Sequence, residues 1–283
     1  MRSIFLTSLL LVAGVATSFA QNKPLNAIFG TQLASSLPQA DSVTASITSV
    51  ANAAGGQAGI SPNTWVSIYG SNFTQNNLID VWDNFIVGGK LPTTLDGVSV
   101  SVGGQPAYVY FVSPGQINIM APNVGLGTMP VTVTTGAGTS QSFTATSQQF
   151  TPAFFTWPNN QPVATRQDFS WAVKNGSFPS VTTVPAKPGD VIILWGTGFG
   201  PTTPAAPVGQ QTPVATFSTA NPVSVTIGGV TAQVFGAALA PGFAGLYQVA
   251  IQIPSSLGNG DFPIIASVSG AQSPTGINIT VHN

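Results

Sequence analysis

The chain has 283 residues, and 5% of them are charged, against about 25% in an ordinary soluble domain. All seven acids are aspartate, there is no cysteine, and the one histidine, His282, stands next to the C-terminus. These counts exclude a disulfide framework, thiolate zinc or iron–sulfur ligation, a cysteine nucleophile and a three-histidine zinc site. A Ser-His-Asp triad would have to take its base from the chain end, where structure frays.

The first element in chain order is a targeting segment. Met1-Arg2 is a short positive start, residues 4–15 are mostly apolar, and Ser18-Phe19-Ala20 is a small-x-small cleavage site before Gln21. This is the pattern of a secretory signal peptide over residues 1–20, too short to span a bilayer comfortably. Residues 21–46 form a short lead rich in Ser, Ala and Gln. No later apolar stretch has the length of a membrane span, so none is predicted. The remaining cations, Lys23, Lys90, Arg166, Lys174 and Lys187, are scattered. Nucleic-acid binding needs clustered Lys/Arg to release counterions, so no nucleic-acid partner is expected. A weakly charged surface offers little repulsion between molecules and permits self-association.

Beyond the lead the chain is duplicated. Ser61-Pro-Asn-Thr-Trp-Val-Ser-Ile-Tyr-Gly-Ser-Asn-Phe73 matches Lys187-Pro-Gly-Asp-Val-Ile-Ile-Leu-Trp-Gly-Thr-Gly-Phe199, and Val98-Ser-Val-Ser-Val-Gly-Gly104 matches Val223-Ser-Val-Thr-Ile-Gly-Gly229. Gln116-Ile-Asn-Ile-Met-Ala-Pro122 and Gly127-Thr-Met-Pro-Val131 recur as Gln248-Val-Ala-Ile-Gln-Ile-Pro254 and Gly260-Asp-Phe-Pro-Ile264. Four blocks in one order define two domains, not a solenoid. In the first copy, strands are predicted at 65–69, 98–102, 107–111, 117–120, 130–134 and 141–145. In the second they are predicted at 191–195, 223–227, 232–235, 247–253, 263–268 and 276–281. The alternation of Val with Ser over 98–102 has the two-residue period of a half-buried strand, and Gly103-Gly104 supplies a tight turn into the next. Short strands with Gly/Pro turns and no amphipathic helix predict an all-β chain of two immunoglobulin-like β-sandwiches. The predicted domains are 47–150 and 185–283, joined by a packed junction over 151–184. In Tyr69-Gly70-Ser71-Asn72-Phe73 and Trp195-Gly196-Thr197-Gly198-Phe199 the glycines are expected to relieve backbone strain while the Phe re-enters the core.

The aromatic-Gly-x-x-Phe run, the Val-x-Val-x-Gly-Gly hairpin, Gln-Ile followed by Pro, and Gly-x-x-Pro-Val resemble the IPT/TIG group of immunoglobulin-like domains. Leu91-Pro-Thr-Thr-Leu-Asp-Gly-Val-Ser-Val100, Ser113-Pro-Gly-Gln-Ile-Asn118, Trp195-Gly-Thr-Gly-Phe-Gly-Pro201 and Leu239-Ala-Pro-Gly-Phe-Ala-Gly-Leu-Tyr-Gln248 further resemble a two-module unit of secreted Acidobacteria proteins of the Solibacter type. The resemblance implies a non-catalytic extracellular module and brings no activity, cofactor or site residue with it.

The acids offer little chemistry. Asp80 and Asp83, in Asn76-Asn-Leu-Ile-Asp-Val-Trp-Asp-Asn-Phe85, fit no calcium-loop spacing and are read as turn residues. Asp96 and Asp261 flank glycines in turns, and an acid–base pair for a polysaccharide hydrolase would have to come from these with Asp168 and Asp190. No catalytic, cofactor-binding or metal-binding residue is therefore assigned. Trp82 and Phe85, in an insertion of the first copy, and Trp171 are the candidates for contact with a ligand or partner. In Phe150-Thr-Pro-Ala-Phe-Phe-Thr-Trp157 the apolar content is too high for a free linker, so Phe154, Phe155 and Trp157 are expected to pack between the domains. The expected function is a secreted or cell-surface structural and adhesive module whose partner is a protein or a glycan. A carbohydrate-binding module is the alternative and an aspartate-pair hydrolase the third reading. Mass spectrometry of the secreted chain should find Gln21 at its N-terminus; an intact Met1 would overturn the cleavage site.

Overall fold

Val98, Val100 and Val102 turn inward along Val98–Val102 while the two serines between them stay half-buried, and this alternation sets the architecture. The computed structural model describes residues 43–283, so the signal peptide and most of the lead lie outside the described residues. The chain from Thr44 to Asn283 is one compact unit. Its described residues contain strands and two three-residue 3₁₀ turns, and no α-helix.

The first sandwich faces a five-stranded antiparallel sheet against a second one. The first sheet runs Ser46–Asn52, Trp65–Ser71, Gln116–Met120, Tyr108–Val112, Asp80–Val81. The second is built on Gly127–Thr135 and Val98–Val102, with Thr94–Leu95 and Phe143–Ser147 alongside. Val66, Ile68, Ile117 and Ile119 meet Val98, Val100, Val131 and Val133 in the core between them. The second sandwich repeats the plan in one continuous sheet ordered Ala153–Phe154, Val191–Thr197, Tyr247–Gln252, Val230–Leu239, Val223–Ile227, Gly260–Val268, Ala271–Gln272. Ile192, Leu194, Val225, Ile227, Val249, Ile251 and Ile264 fill its core.

The duplication extends to backbone irregularities. Both Gly-Gly pairs, Gly103-Gly104 and Gly228-Gly229, hold φ between +57° and +81°, the two left-handed positions of a type I′ hairpin turn. Each returning strand then carries a bulge that leaves one aromatic unpaired, Tyr110 in the first copy and Phe235 in the second. In the second copy this strand, Val230–Leu239, runs unbroken from Val223–Ile227 to Tyr247–Gln252. In the first copy it divides at Ala107, just after Pro106, whose missing N–H cannot continue the ladder.

The repeated aromatic-Gly step has a different cause from the one its sequence suggests. Neither Gly70 nor Gly196 has a left-handed φ. A Cβ on Gly70 would strike the Ser46 carbonyl and come within 2.6 Å of Phe73 Cζ; on Gly196 it would strike the Ala153 carbonyl and come within 2.8 Å of Phe199 Cε2. The glycines let a neighbouring strand and a core phenyl ring close against the backbone. Positive φ comes later in each loop, at Asn72 (+59°) in the first and at Gly198 and Gly200 (+80° and +87°) in the second. Gly196→Ala should lower stability by about 1–3 kcal/mol through overpacking, as measured by denaturant unfolding, while a substitution at the open turn glycine Gly136, which has nothing near it, should cost much less.

Candidate functional site

Two loops of the second sandwich, 209–212 and 242–246, dock on the first. Trp65 begins its strand by donating its backbone N–H to Thr197 Oγ1 at 3.2 Å, and Thr197 Oγ1 donates to the Gly245 carbonyl at 3.0 Å. The Trp65 indole Nε1 donates to the Ala244 carbonyl at 2.8 Å. The Ser61 hydroxyl bonds both Thr64 Oγ1 at 2.6 Å and Thr151 Oγ1 at 2.7 Å, and Asn52 Nδ2 donates to the Thr151 carbonyl at 2.9 Å. These side chains are buried, where each hydrogen bond is stronger and each unmade one costlier than in water. The contact is also close. Gly245, at φ +57°, lies against the Asn63 carbonyl and Met120, and Gly209 lies against the Tyr108 ring. Backbone bonds from Leu91 N to the Gly209 carbonyl and from Gln211 N to the Gly89 carbonyl complete the junction at 2.9 and 2.8 Å.

This docking covers one end of the outer face of the Ser46–Asn52 sheet and leaves the other open. Under the covered end Trp65, Trp82 and Tyr110 form an aromatic triad with ring centroids 5.0–5.4 Å apart. Trp82 is 4% exposed. The structure thus differs from the expectation of a contact residue there: the pairing of Asp80–Val81 with the Tyr108–Val112 strand folds the insertion back, so Trp82 roofs the bulged Tyr110. Burial pushes the Tyr110 phenol up, with the Asp83 carboxylate adding to it. Phe85 remains at the surface, as do Leu78, Ile79 and Val87 of the same insertion.

At the open end, Ser67 stands directly across from Asn118 and Tyr69 from Gln116, so all four side chains share one face. Ser67 Oγ and Gln116 Nε2 each donate to Asn118 Oδ1 at 2.8 Å. The amides are half-buried, and the buried polar atoms without a partner lie elsewhere, at Gln57, Asn63, Tyr110, Ser147 and Trp157. Asn118 Nδ2 and Gln116 Oε1 carry no hydrogen bond among the described residues, and Tyr69, opposite Gln116, is 43% exposed. Sequence reasoning missed this group. The available signal was the Gln-Ile-Asn run, whose period of two puts both amides on one face; the partners Ser67 and Tyr69 follow only from strand register.

The junction segment builds onto the second sandwich. Ala153–Phe154 and Ala164–Thr165 both pair with Val191–Thr197. Phe154 enters that sandwich's own core against Phe199 at a centroid distance of 5.8 Å. Phe155 is buried and bonded through its backbone to Trp195 and Val163. Trp157 packs on Trp171 and Phe178 at 5.7 and 5.0 Å. The three aromatics expected between the domains thus line the second one, because the segment extends its sheet edge, while hydroxyls and loop backbone make the contact between sandwiches. Trp171 is half-buried, and Phe169, at φ +63° on a turn tip, is 57% exposed nearby in sequence.

The acids with identified contacts are engaged by turn backbone or by ion pairs. Asp80 Oδ1 accepts from Val81 N, Asp168 Oδ1 from Ser170 N and Asp190 Oδ2 from Lys187 N. Asp190 also pairs with Arg166 at 3.5 Å and Asp261 with Lys174 at 2.7 Å. Hydrogen bonds from Lys174 and then Thr280 hold the Asp261 carboxyl below the usual range. Desolvation, then the Asp80 carboxyl beside it, push Asp96 up. The described residues contain no group of three or more His, Cys, Asp or Glu able to hold a metal ion.

An IPT/TIG domain is found at residues 45–152, the span of the first sandwich. Among solved structures, the chain is similar to SGBP-B of a Bacteroides ovatus mixed-linkage glucan utilization locus, solved in complex with a mixed-linkage heptasaccharide. The identity is 15% over 87% of this chain and 48% of that one, with a TM-score of 0.36. It is similar also to SGBP-B of a Bacteroides uniformis complex xyloglucan utilization locus, at 13% identity over 83% and 49%, TM-score 0.23, and to domains 5–6 of the S-layer protein SbsC, at 11% over 85% and 99%, TM-score 0.28. The chain spans under half the length of the two Bacteroides proteins. No curated protein matches the sequence. No helix among the described residues is long and apolar enough to cross a membrane.

The acids yield a pH test. Because the Asp96 carboxyl is raised on folding, the folded state holds its proton more tightly, and stability is lost as pH rises above the ordinary carboxylate value. Asn is neutral and tolerates the left-handed φ of +47° found there. Asp96→Asn should therefore raise Tm slightly at about pH 7 and leave it unchanged at about pH 3, where the carboxyl is protonated in both states.

Proposed function

We propose that the chain is a non-catalytic, extracellular interaction module in which two sandwiches act as one rigid body. In this reading it is a two-module unit of the Acidobacteria type, with domains over 47–150 and 185–283, and the 151–184 segment completes the second. The observation that carries it is the set of buried hydroxyl bonds at the contact, Ser61 with Thr64 and Thr151, and Thr197 between Trp65 N and the Gly245 carbonyl. Such a set is satisfied at one relative placement of its two sides and penalises others, because every displaced donor or acceptor stays buried without a partner. A fixed rod holds a binding surface at a set distance and angle, which suits a structural or adhesive role. The occupied state of the acids supports the non-catalytic part, since Asp168, Asp190 and Asp261 are tied to turns and ion pairs. The low surface charge suits an extracellular setting and self-association.

Small-angle scattering of residues 21–283 should give a single narrow distance distribution, and calorimetry a single unfolding transition. Thr197→Val removes the acceptor of Trp65 N–H and the donor to Gly245. It should cost about 1–3 kcal/mol and broaden the distribution. Two independent transitions in the wild type would overturn the rigid reading.

A further inference from the structure

We infer that the open end of the outer face in the first sandwich, where Tyr69 is exposed and the half-buried amides of Gln116 and Asn118 are held by the buried Ser67, is a binding site for a neutral saccharide. The inference rests on the reading of the chain as an interaction module and adds the ligand class and its location.

A pyranose ring offers two kinds of surface, an apolar C–H face and a rim of hydroxyls that both donate and accept. A protein site for it needs an exposed aromatic face with fixed donors and acceptors at its edge. Tyr69 supplies the aromatic face on a strand of the sheet, so its position is set by the ladder on both sides, through Ser49 and Gln116. Beside it, Asn118 Oδ1 is occupied twice, by Ser67 Oγ and Gln116 Nε2. That double acceptance fixes the orientation of both amides. It leaves the two N–H groups of Asn118 Nδ2 and the lone pairs of Gln116 Oε1 as a donor and an acceptor for a ligand. Two neighbouring ring hydroxyls can meet that pair, one accepting and one donating.

The internal duplication provides a control within the same molecule. The position of Tyr69 is occupied in the second sandwich by Trp195, and Trp195 is buried, with its indole donating to Thr165 Oγ1 at 2.9 Å. At that copy Ile193 and Ala250 stand where Ser67 and Asn118 stand in the first. An edge strand pairs at the equivalent place in both copies, Ser46–Asn52 in the first and Ala164–Thr165 in the second, yet the hydroxyl–amide group and the exposed aromatic occur in the first alone. Charge narrows the ligand further. The strands Ser46–Asn52, Trp65–Ser71, Tyr108–Val112 and Gln116–Met120 carry no Lys or Arg, and Arg166 and Lys174 are engaged by Asp190 and Asp261. A uronic acid or a sulfated sugar finds no counter-charge on these strands, so the ligand is a neutral glycan.

The test is affinity electrophoresis of residues 21–283 through gels holding soluble mixed-linkage β-glucan, xyloglucan or galactomannan, with polygalacturonate as the anionic comparison. At least one neutral polysaccharide should retard the protein and polygalacturonate should not. Tyr69→Ala should weaken retardation by about tenfold or more, the equivalent of about 1.4 kcal/mol, and Asn118→Ala comparably. Tyr69→Phe should retain it, because the ring face is kept. Phe169→Ala should leave it unchanged. Thermal melting of each variant checks that a loss is not unfolding; Tyr69, at the surface, is the variant least exposed to that outcome. The inference is overturned if no neutral polysaccharide retards the protein, if polygalacturonate retards it more, or if Phe169→Ala abolishes binding while Tyr69→Ala does not. None of these results bears on whether the two sandwiches move as one, which scattering decides separately.

Discussion

The hydroxyl of Thr197 holds this molecule together at a point where neither half is complete alone. It accepts the first N–H of the Trp65–Ser71 strand and donates to the Gly245 carbonyl, so a strand of one sandwich is terminated by a side chain of the other. Around it the Trp65 indole bond to Ala244, the close approach of Gly245 to Met120 and the Ser61–Thr151 bond all depend on the same relative placement. The contact is polar although the chain is poor in charge, which is consistent physically. Ser and Thr are small enough to be buried at a tight contact and offer a donor and two acceptors each. Their desolvation costs far less than that of a buried ion pair.

The two copies keep the same skeleton and diverge on their outer faces. Gly70 and Gly196 admit equivalent strand carbonyls, Phe73 and Phe199 lie beneath them, and the bulge recurs at Tyr110 and Phe235. Above this skeleton the treatments are opposite. Tyr110 is roofed by Trp82, whereas Phe235 is 53% exposed; Trp195 is buried, whereas Tyr69 is open. The duplication therefore yields one fold with two complementary patterns of cover, set by the insertion at 74–90 in one copy and the 153–184 segment in the other.

What the sequence discloses about this chain follows from the range over which each feature is encoded. The alternation at 98–102 and the Gly-Gly turns are local, and strand positions read from them agree with the structure. The aromatic-Gly repeat is visible as a pattern, but its cause is not, because the atoms that exclude a Cβ, the carbonyls of Ser46 and Ala153, come from strands elsewhere in the chain. Trp82 reads as an exposed insertion residue because nothing near it in sequence indicates that Asp80–Val81 pairs back onto Val112 and Phe111. Phe154, Phe155 and Trp157 read as interdomain packing because their apolar content is plain, while the side to which they belong depends on pairing with Val191–Thr197. The hydroxyl contact escapes sequence reading for the same reason: Ser and Thr are common in loops, and only docking reveals which become buried.

The shared termination at Trp65 bears on how such a unit can be inherited. A gene fragment encoding only the first sandwich would carry a strand whose leading N–H, and a tryptophan whose indole N–H, both await acceptors on the other half. A fragment encoding only the second would carry Thr197 and the 242–246 loop with their counterparts gone. Recombination that moves a single copy between genes is thus penalised on both sides of the cut, whereas transfer of the pair is not. In this chain the block that satisfies all of its own hydrogen bonds is the doublet, even though each half, taken by its topology, looks like a module in its own right.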